Sequence, residues 1–150
     1  MQTPASIARH PIHPMLVPIP IGLWIFSFVC DLAPRFGGAP ELWGRIALYS
    51  MVGGIIGALA AAIPGLIDLL SLTGNPRKTA IIHMSLNLTI VALYIVNTVM
   101  RWREPQNPGG LVWLSLFALV LLVISGWLGG KMVYEYGVAV STTTDPAKRY

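Results

Sequence analysis

The feature that most constrains this chain is a set of four long runs without a single Asp, Glu, Lys or Arg. The runs cover residues 14–30, 46–67, 79–100 and 105–130. Each contains roughly 17 to 26 residues, and about 20 helical residues cross the hydrocarbon core of a bilayer. The runs are apolar all round and lack the alternation of a barrel strand. They predict four transmembrane α-helices.

The composition agrees with a membrane protein. Of the 150 residues, 55% are hydrophobic and only 11% are charged, which leaves too little polar surface for a soluble domain. The links between the runs are short and contain Gly and Pro, so consecutive helices are predicted to pack antiparallel. The predicted fold is an all-α, antiparallel four-helix bundle in a single domain, residues 1–150. The predicted spans are residues 15–33, 45–69, 79–100 and 111–134, followed by a polar tail at residues 141–150.

Lys and Arg residues near the ends of the spans predict the orientation. More of them lie on the side that holds both termini, and positive charge is enriched in cytoplasmic loops, so the termini are predicted to be cytoplasmic. These positions account for the net charge of +4 and form no basic stripe, so nucleic acid is not an expected partner. On the side of the termini are Arg9, Arg77, Lys78, Lys131, Lys148 and Arg149; on the other side are Arg35, Arg45, Arg101 and Arg103.

Polar residues are predicted to converge at one membrane face. Polar groups at the same end of every span predict a site inside the bundle, because lipid excludes them. The set comprises His10 and His13 before the first span, Asp68 at the end of the second, His83 and Asn87 at the start of the third, and Lys131, Tyr134, Glu135 and Tyr136 at the end of the fourth.

Helical periodicity gives the third span a polar stripe. At about 100° per residue the stripe occupies about 80° of arc, and it is expected to face the bundle interior. We therefore expect His13 and His83 to face each other across the bundle, with His10 nearer to water. The stripe consists of His83, Asn87, Tyr94 and Asn97.

Two carboxylates need partners, because an unpaired charge in or near lipid is costly. Asp31 lies at the opposite face and is expected to pair with Arg35 and Arg45. Asp68 shares the small-residue face of the second span and is expected to lie on a packed surface. Its expected partners are His13, Lys131 or Tyr134.

Four segments resemble an uncharacterised bacterial family of four-span membrane proteins, catalogued as a domain of unknown function. The resemblance covers about residues 10–140 and implies the four-span fold, a place in the bacterial inner membrane and no established activity. The segments are His10-Pro-x-His13-Pro-Met-Leu-Val-Pro-x-Pro-Ile-Gly22, Ile63-Pro64-Gly65-Leu66-Ile67-Asp68, the pair His83 and Asn87, and Ser125-Gly126-Trp127-Leu128-Gly129-Gly130-x-Met132-Val133-Tyr134.

The chain departs from that family near its end. Family members often carry Tyr-x-His-Gly-Val-Gly-Val, whereas this chain has Tyr136 in the position of the histidine. If that histidine is a ligand in the family, a phenol replaces the imidazole here.

The predicted function is a histidine-rich site that holds haem b or a transition metal for electron transfer. Histidines on different helices of a bundle can hold haem iron, and imidazole with carboxylate suits zinc, copper or non-haem iron. The candidate cofactor-binding residues are His13, His83, His10, Asn87 and Tyr136; the candidate metal ligands are His10, His13, His83 and Asp68.

Two other functions are compatible with the sequence. A quinone or proton site would use Asp68 and His83 to exchange protons, whereas a structural or accessory subunit would use the polar cluster only to tie helix ends together. No catalytic, nucleotide-binding or zinc-protease motif is present, so at most a redox component is expected. The expected partners are the lipid bilayer and a redox partner or a second copy of the chain.

Overall fold

The four apolar runs form four long helices in a computed structural model, which describes residues 3–103, 109 and 111–140. Four helical spans in these ranges are long and apolar enough to cross a membrane. The helices are α1 (Ile12–Leu16), α2 (Pro18–Leu32), α3 (Pro40–Ser71), α4 (Gly74–Arg101) and α5 (Leu111–Tyr134); a two-stranded sheet of β1 (Ser6–Ile7) and β2 (His10–Pro11) precedes them, and a 3-10 turn at Ala33–Phe36 follows α2.

The helices begin and end where the local sequence favours it. Pro18 and Pro40 begin α2 and α3, positions where the missing proline N–H has no helical partner to lose. After α3, Leu72 is extended, and Gly74 adopts a positive φ of 64° before α4 continues. Only glycine takes that conformation without strain, so the link between α3 and α4 can be very short.

Helix α3 is longer than the predicted span of residues 45–69. It begins at Pro40, and its first turns contain an exposed ion pair in which Arg45 Nη2 lies 2.6 Å from Glu41 Oε1. Such a pair, four residues apart, stabilises a helix in water. Charge therefore ends the membrane-spanning part of this helix without ending the helix itself.

The apolar core lies midway along the bundle. Helix α2 packs most extensively on α3, and α4 on α5. Trp24 stacks on Tyr94 with ring centres 4.4 Å apart and planes within 5°. Gly54 is needed beside this stack, because an added Cβ would lie 2.3 Å from Trp24 Nε1. The buried residues of this apolar layer are Trp24, Met51, Ile90, Val91, Tyr94 and Ala118.

Both described ends of the chain lie at the same end of the bundle. The residues after α5 return to the α3–α4 link, where Val138 packs with Leu69, Leu72 and Ala80. At the other terminus, the Ala5 N–H donates to Asp68 near the end of α3. Large apolar side chains are exposed around the rest of the bundle, as expected where lipid is the solvent.

Candidate functional site

His13 lies in α1 and is held against α3. Its Nδ1 lies 2.8 Å from the carbonyl oxygen of Ala61. Gly65, one turn further along α3, leaves room for the imidazole, because a Cβ there would lie 2.8 Å from His13 Nδ1. A carbonyl oxygen only accepts hydrogen bonds, so the proton of a neutral His13 is on Nδ1 and the lone pair is on Nε2.

His83 projects from α4 and is held in the same way against α5. Its Nδ1 lies 2.9 Å from the carbonyl oxygen of Ser125 and 3.0 Å from Ser125 Oγ. The Asn87 amide lies 2.7 Å from Ser125 Oγ and 3.1 Å from His83 Nε2. Asn87 Nδ2 also lies 2.8 Å from the His83 carbonyl oxygen, so its two hydrogens serve the two shorter contacts and Nδ2 only faces Nε2. The Ser125 carbonyl accepts from Nδ1 and so fixes the same tautomer as in His13.

The two imidazoles lie next to each other, as the sequence predicts. Their ring centres are 6.3 Å apart and their planes are nearly perpendicular, at 88°. Gly129 of α5 also faces His83, and a Cβ there would lie 3.5 Å from the ring. The pair therefore lies among α1, α3, α4 and α5 at one end of the bundle, with both rings partly buried.

The prediction for the partner of Asp68 is wrong. The carboxylate is buried, but its Oδ1 accepts a hydrogen bond of 2.9 Å from the backbone N–H of Ala5. Lys131 instead lies 3.6 Å from Glu135, and Tyr134 is 91% exposed. The reason is that the segment beginning the β1–β2 hairpin folds back over the end of α3 and supplies the Ala5 backbone N–H as the donor. The prediction considered only side-chain partners.

His10 and Tyr136 lie outside the His13–His83 pair. His10 is exposed on the hairpin, with Nδ1 2.9 Å from the carbonyl oxygen of Ala8. Tyr136 packs against the cluster beside the α3–α4 link, and Lys131 Nζ lies 5.9 Å from the centre of its ring. Within the part of the chain that the structure describes, no group of three or more His, Cys, Asp or Glu side chains could hold a metal.

A family model describes nearly the whole chain. It matches residues 9–142, and its description is "Predicted membrane protein (DUF2231)". The chain belongs to this family. No curated protein and no solved structure matches the chain. The family description and the four apolar helices together indicate an integral membrane protein, and the description names no activity.

The DUF2231 chain has a second polar cluster, at the opposite end of the bundle, which the sequence analysis missed. Arg101 and Asp31 form a two-pronged ion pair; Nη1 contacts Oδ1, and Nη2 lies 2.8 Å from Oδ2. Both side chains are fully buried. Arg101 Nε also donates to Asn97 Oδ1 at 2.6 Å, and the Asn97 amide donates to Ser115 Oγ at 2.8 Å.

The expected pairing of Asp31 with Arg35 and Arg45 is therefore wrong. Arg101 continues the polar stripe of α4 beyond Tyr94 and Asn97, and this periodicity is the sequence signal that could have found it. A cavity of about 230 Å³ lies beside the pair, lined in part by Cys30, Asp31 and Arg35. The lining is mainly apolar, so we assign it no ligand.

Proposed function

We propose that this protein is a redox component of the membrane in which His13 and His83 together hold haem b iron or a single transition-metal ion. One observation carries the proposal: each imidazole uses Nδ1 to bind a backbone carbonyl, on Ala61 and Ser125 respectively. Histidines that bind metals almost always use their other ring N–H in this way, because it fixes the tautomer and directs Nε2 at the metal.

The separation of the rings supports shared binding. A metal–imidazole bond is about 2.0–2.1 Å long, so two imidazoles that shared one metal would have ring centres at most roughly 6 Å apart. The observed separation is 6.3 Å, close to this limit, so His13 and His83 would be the residues that hold the metal.

The number of donors favours haem over a bare ion. Two imidazoles complete the coordination of haem iron, because the macrocycle supplies the other nitrogens, whereas a zinc site needs three or four protein ligands. The described residues offer no third ligand of that kind. Binding at His83 would require Asn87 Nδ2 to move away from Nε2, which it faces at 3.1 Å; its shorter bonds to the His83 carbonyl and Ser125 Oγ hold the Asn87 side chain in place.

The test is a visible spectrum and a metal analysis of the full chain, purified from cells supplied with a haem precursor. We expect a haem spectrum or stoichiometric metal in the wild type, and its loss in His13→Ala and in His83→Ala. His10→Ala is the matched control and should bind like the wild type, because His10 is exposed and bonded only to its own turn. A wild-type protein with neither haem nor metal would refute the proposal.

The second candidate is a non-catalytic accessory subunit, which is favoured by the bonds that the imidazoles already make. His13 ties α1 to α3, and His83 ties α4 to α5, so the pair holds helix ends together without any ligand. His83→Asn separates the two functions, because the asparagine amide nitrogen takes the place of Nδ1 and can still donate to the Ser125 carbonyl, whereas nothing takes the place of Nε2. Unchanged thermal stability of the apoprotein with lost haem binding supports the redox component; full biological activity of His83→Asn supports the accessory subunit.

The same proposal places the protein in a bacterial inner membrane, with its termini in the cytoplasm and a redox partner or a second copy beside it. The distribution of Lys and Arg supports the orientation. The His13–His83 pair lies at the end of the bundle that holds the described termini, so this orientation places the pair at the cytoplasmic face.

A further inference from the structure

The N-terminal strap, residues 3–11, is a hairpin that cannot be stable alone. It has only two residue pairs, Ser6 with Pro11 and Ile7 with His10, and an isolated hairpin is at best marginally stable in water. Its turn places Ala8 at φ 49° and Arg9 at φ 68°, a left-handed conformation that non-glycine residues adopt only under strain. Contacts with the helix bundle must therefore hold the strap in place.

Asp68 supplies the strap's side-chain anchor. Its Oδ1 accepts the Ala5 N–H at 2.9 Å, and the Ala5 carbonyl accepts the N–H of Ile12 at 3.0 Å. Ala5 and Asp68 are each 8% exposed, and Thr3 is 5% exposed. A hydrogen bond to a buried carboxylate is among the stronger ones in a protein, so within the described residues this contact contributes strongly to holding the strap against α3.

The order of contacts along α3 places the strap on the aqueous side of the site. The Ala61 carbonyl binds His13, Gly65 packs against the His13 ring, and Asp68 binds the strap. These residues follow one another toward the end of α3, and Asp68 lies about 10 Å beyond Ala61 along the helix axis. Water that approaches His13 along α3 from this end of the bundle therefore meets the strap first.

We propose that Asp68 is a positioning residue: through the Ala5 N–H it holds the N-terminal strap over the His13–His83 pair and controls access to the imidazoles from water. The strap opens when this contact breaks, because its strained turn and its two residue pairs cannot hold it. The inference rests on the proposed function only because it takes the His13–His83 pair as the site. In it, Asp68 regulates access to that site and is not a metal ligand.

Access can be measured without any bound cofactor. The full chain in lipid nanodiscs is treated with diethyl pyrocarbonate, which acylates accessible imidazole nitrogens, and the rate at each histidine is read by mass spectrometry of its peptide. N-acetylhistidine added to the same reaction serves as the reference, because His10 lies within the strap and its rate can change when the strap opens. Asp68→Ala should raise the His13 rate relative to this reference by about tenfold or more, as expected for loss of a hydrogen bond to a charged acceptor.

Three further variants identify the contact. Asp68→Asn keeps an acceptor oxygen and should stay near the wild-type rate. Ala5→Pro removes the N–H and should match Asp68→Ala, and the double variant should show no further increase, because both changes remove one bond. Ala8→Gly relieves the strained turn and should lower the rate, the opposite sign.

Ser71→Ala is the matched control, because Ser71 Oγ donates to the Asp68 carbonyl and not to its carboxylate. It should leave the His13 rate unchanged. If Asp68→Ala does not fold, Ala5→Pro and Ala8→Gly carry the test, since both changes lie within the strap itself. A His13 rate that is unchanged in Ala5→Pro and in Ala8→Gly overturns the proposal. A protein that binds no haem or metal, but shows these rate changes, overturns the proposed function and leaves this inference intact.

Discussion

The two ends of the bundle both bury polar groups, but they satisfy them differently. At one end Arg101 and Asp31 bind each other through two contacts, and Arg101 Nε also donates to Asn97. At the other end, within the described residues, His13 makes one hydrogen bond through Nδ1, and the polar atom facing His83 Nε2 is Asn87 Nδ2, at 3.1 Å.

This difference separates the Asp31–Arg101 pair, which is structural, from the His13–His83 pair, which can bind a ligand. In the buried ion pair every nitrogen of Arg101 already has a partner, whereas an imidazole with a lone pair on Nε2 can still accept a ligand. Burial and charge alone point to the Asp31–Arg101 pair as the functional centre. The unused bonding capacity points to the His13–His83 pair instead.

The largest expected effect comes from removing one partner of the buried Asp31–Arg101 ion pair. Arg101→Met should lower the free energy of unfolding by about 3–5 kcal/mol, because the Asp31 charge stays buried without a partner. The double variant Asp31→Asn with Arg101→Met should recover much of this loss. Unfolding in mixed detergent micelles measures both. Removing the exposed Glu41–Arg45 pair is the control and should cost at most about 1 kcal/mol; an equal loss in the control and in Arg101→Met would contradict this interpretation.

The second largest effect is expected where the His13 imidazole packs against Gly65 of α3. Gly65→Ala puts a Cβ within 2.8 Å of His13 Nδ1, which should displace the ring at a cost of about 1–3 kcal/mol. Haem or metal affinity should fall by about tenfold or more. Gly129→Ala is the control, because its Cβ would lie at an ordinary 3.5 Å from His83. Equal affinities for the two variants would show that ring position does not matter.

A smaller effect, of opposite sign, is expected at Asn87. Asn87→Ala removes the amide that competes with a metal for His83 Nε2. Net hydrogen bonds contribute about 0.5–1.5 kcal/mol, so haem or metal affinity should rise by about two- to tenfold. Titration of the apoprotein measures it. An affinity that falls instead would mean that Asn87 positions His83 for binding, and the competition argument would be wrong.

The smallest effect concerns which end faces the cytoplasm. Replacing both Arg77 and Lys78 by Gln should weaken the preference for cytoplasmic termini, because both lie in the first turns of α4, at the end of the bundle that holds the His13–His83 pair. Reporter fusions after residue 1 and after Tyr150 measure the mixture of orientations. Fusions that report opposite sides for the two termini would contradict the four-span topology, and an unchanged pattern would show that these two charges do not decide orientation.

The sequence predicts the helices and the His13–His83 contact for the same reason. The length of a span, and the depth of each of its residues in the membrane, follow from the local run of apolar residues, so runs without charge locate the spans. His13 and His83 lie at the same depth at the same face, which brings them together. Position along the chain is therefore enough to predict this contact, because each histidine lies near the start of a span at the same membrane face.

The partners of the two buried carboxylates could not be predicted in this way. Asp68 binds a backbone N–H of Ala5, and every backbone in the chain offers the same donor, so composition gives no preference. Asp31 binds Arg101, seventy positions away in the chain, although Arg35 and Arg45 are nearer in sequence. Distance along the chain and depth do not distinguish Arg101 from these arginines; the helical periodicity that places Arg101 on the polar stripe of α4 does.

The apolar layer around Trp24 and Tyr94 has an electrical consequence. The layer separates the two polar ends, and a region of low dielectric constant takes most of the voltage applied across a membrane. A charge gained or lost at the His13–His83 pair therefore stays near the potential of the adjacent solution. If the pair is the redox site proposed above, its chemistry should consequently be almost insensitive to membrane voltage.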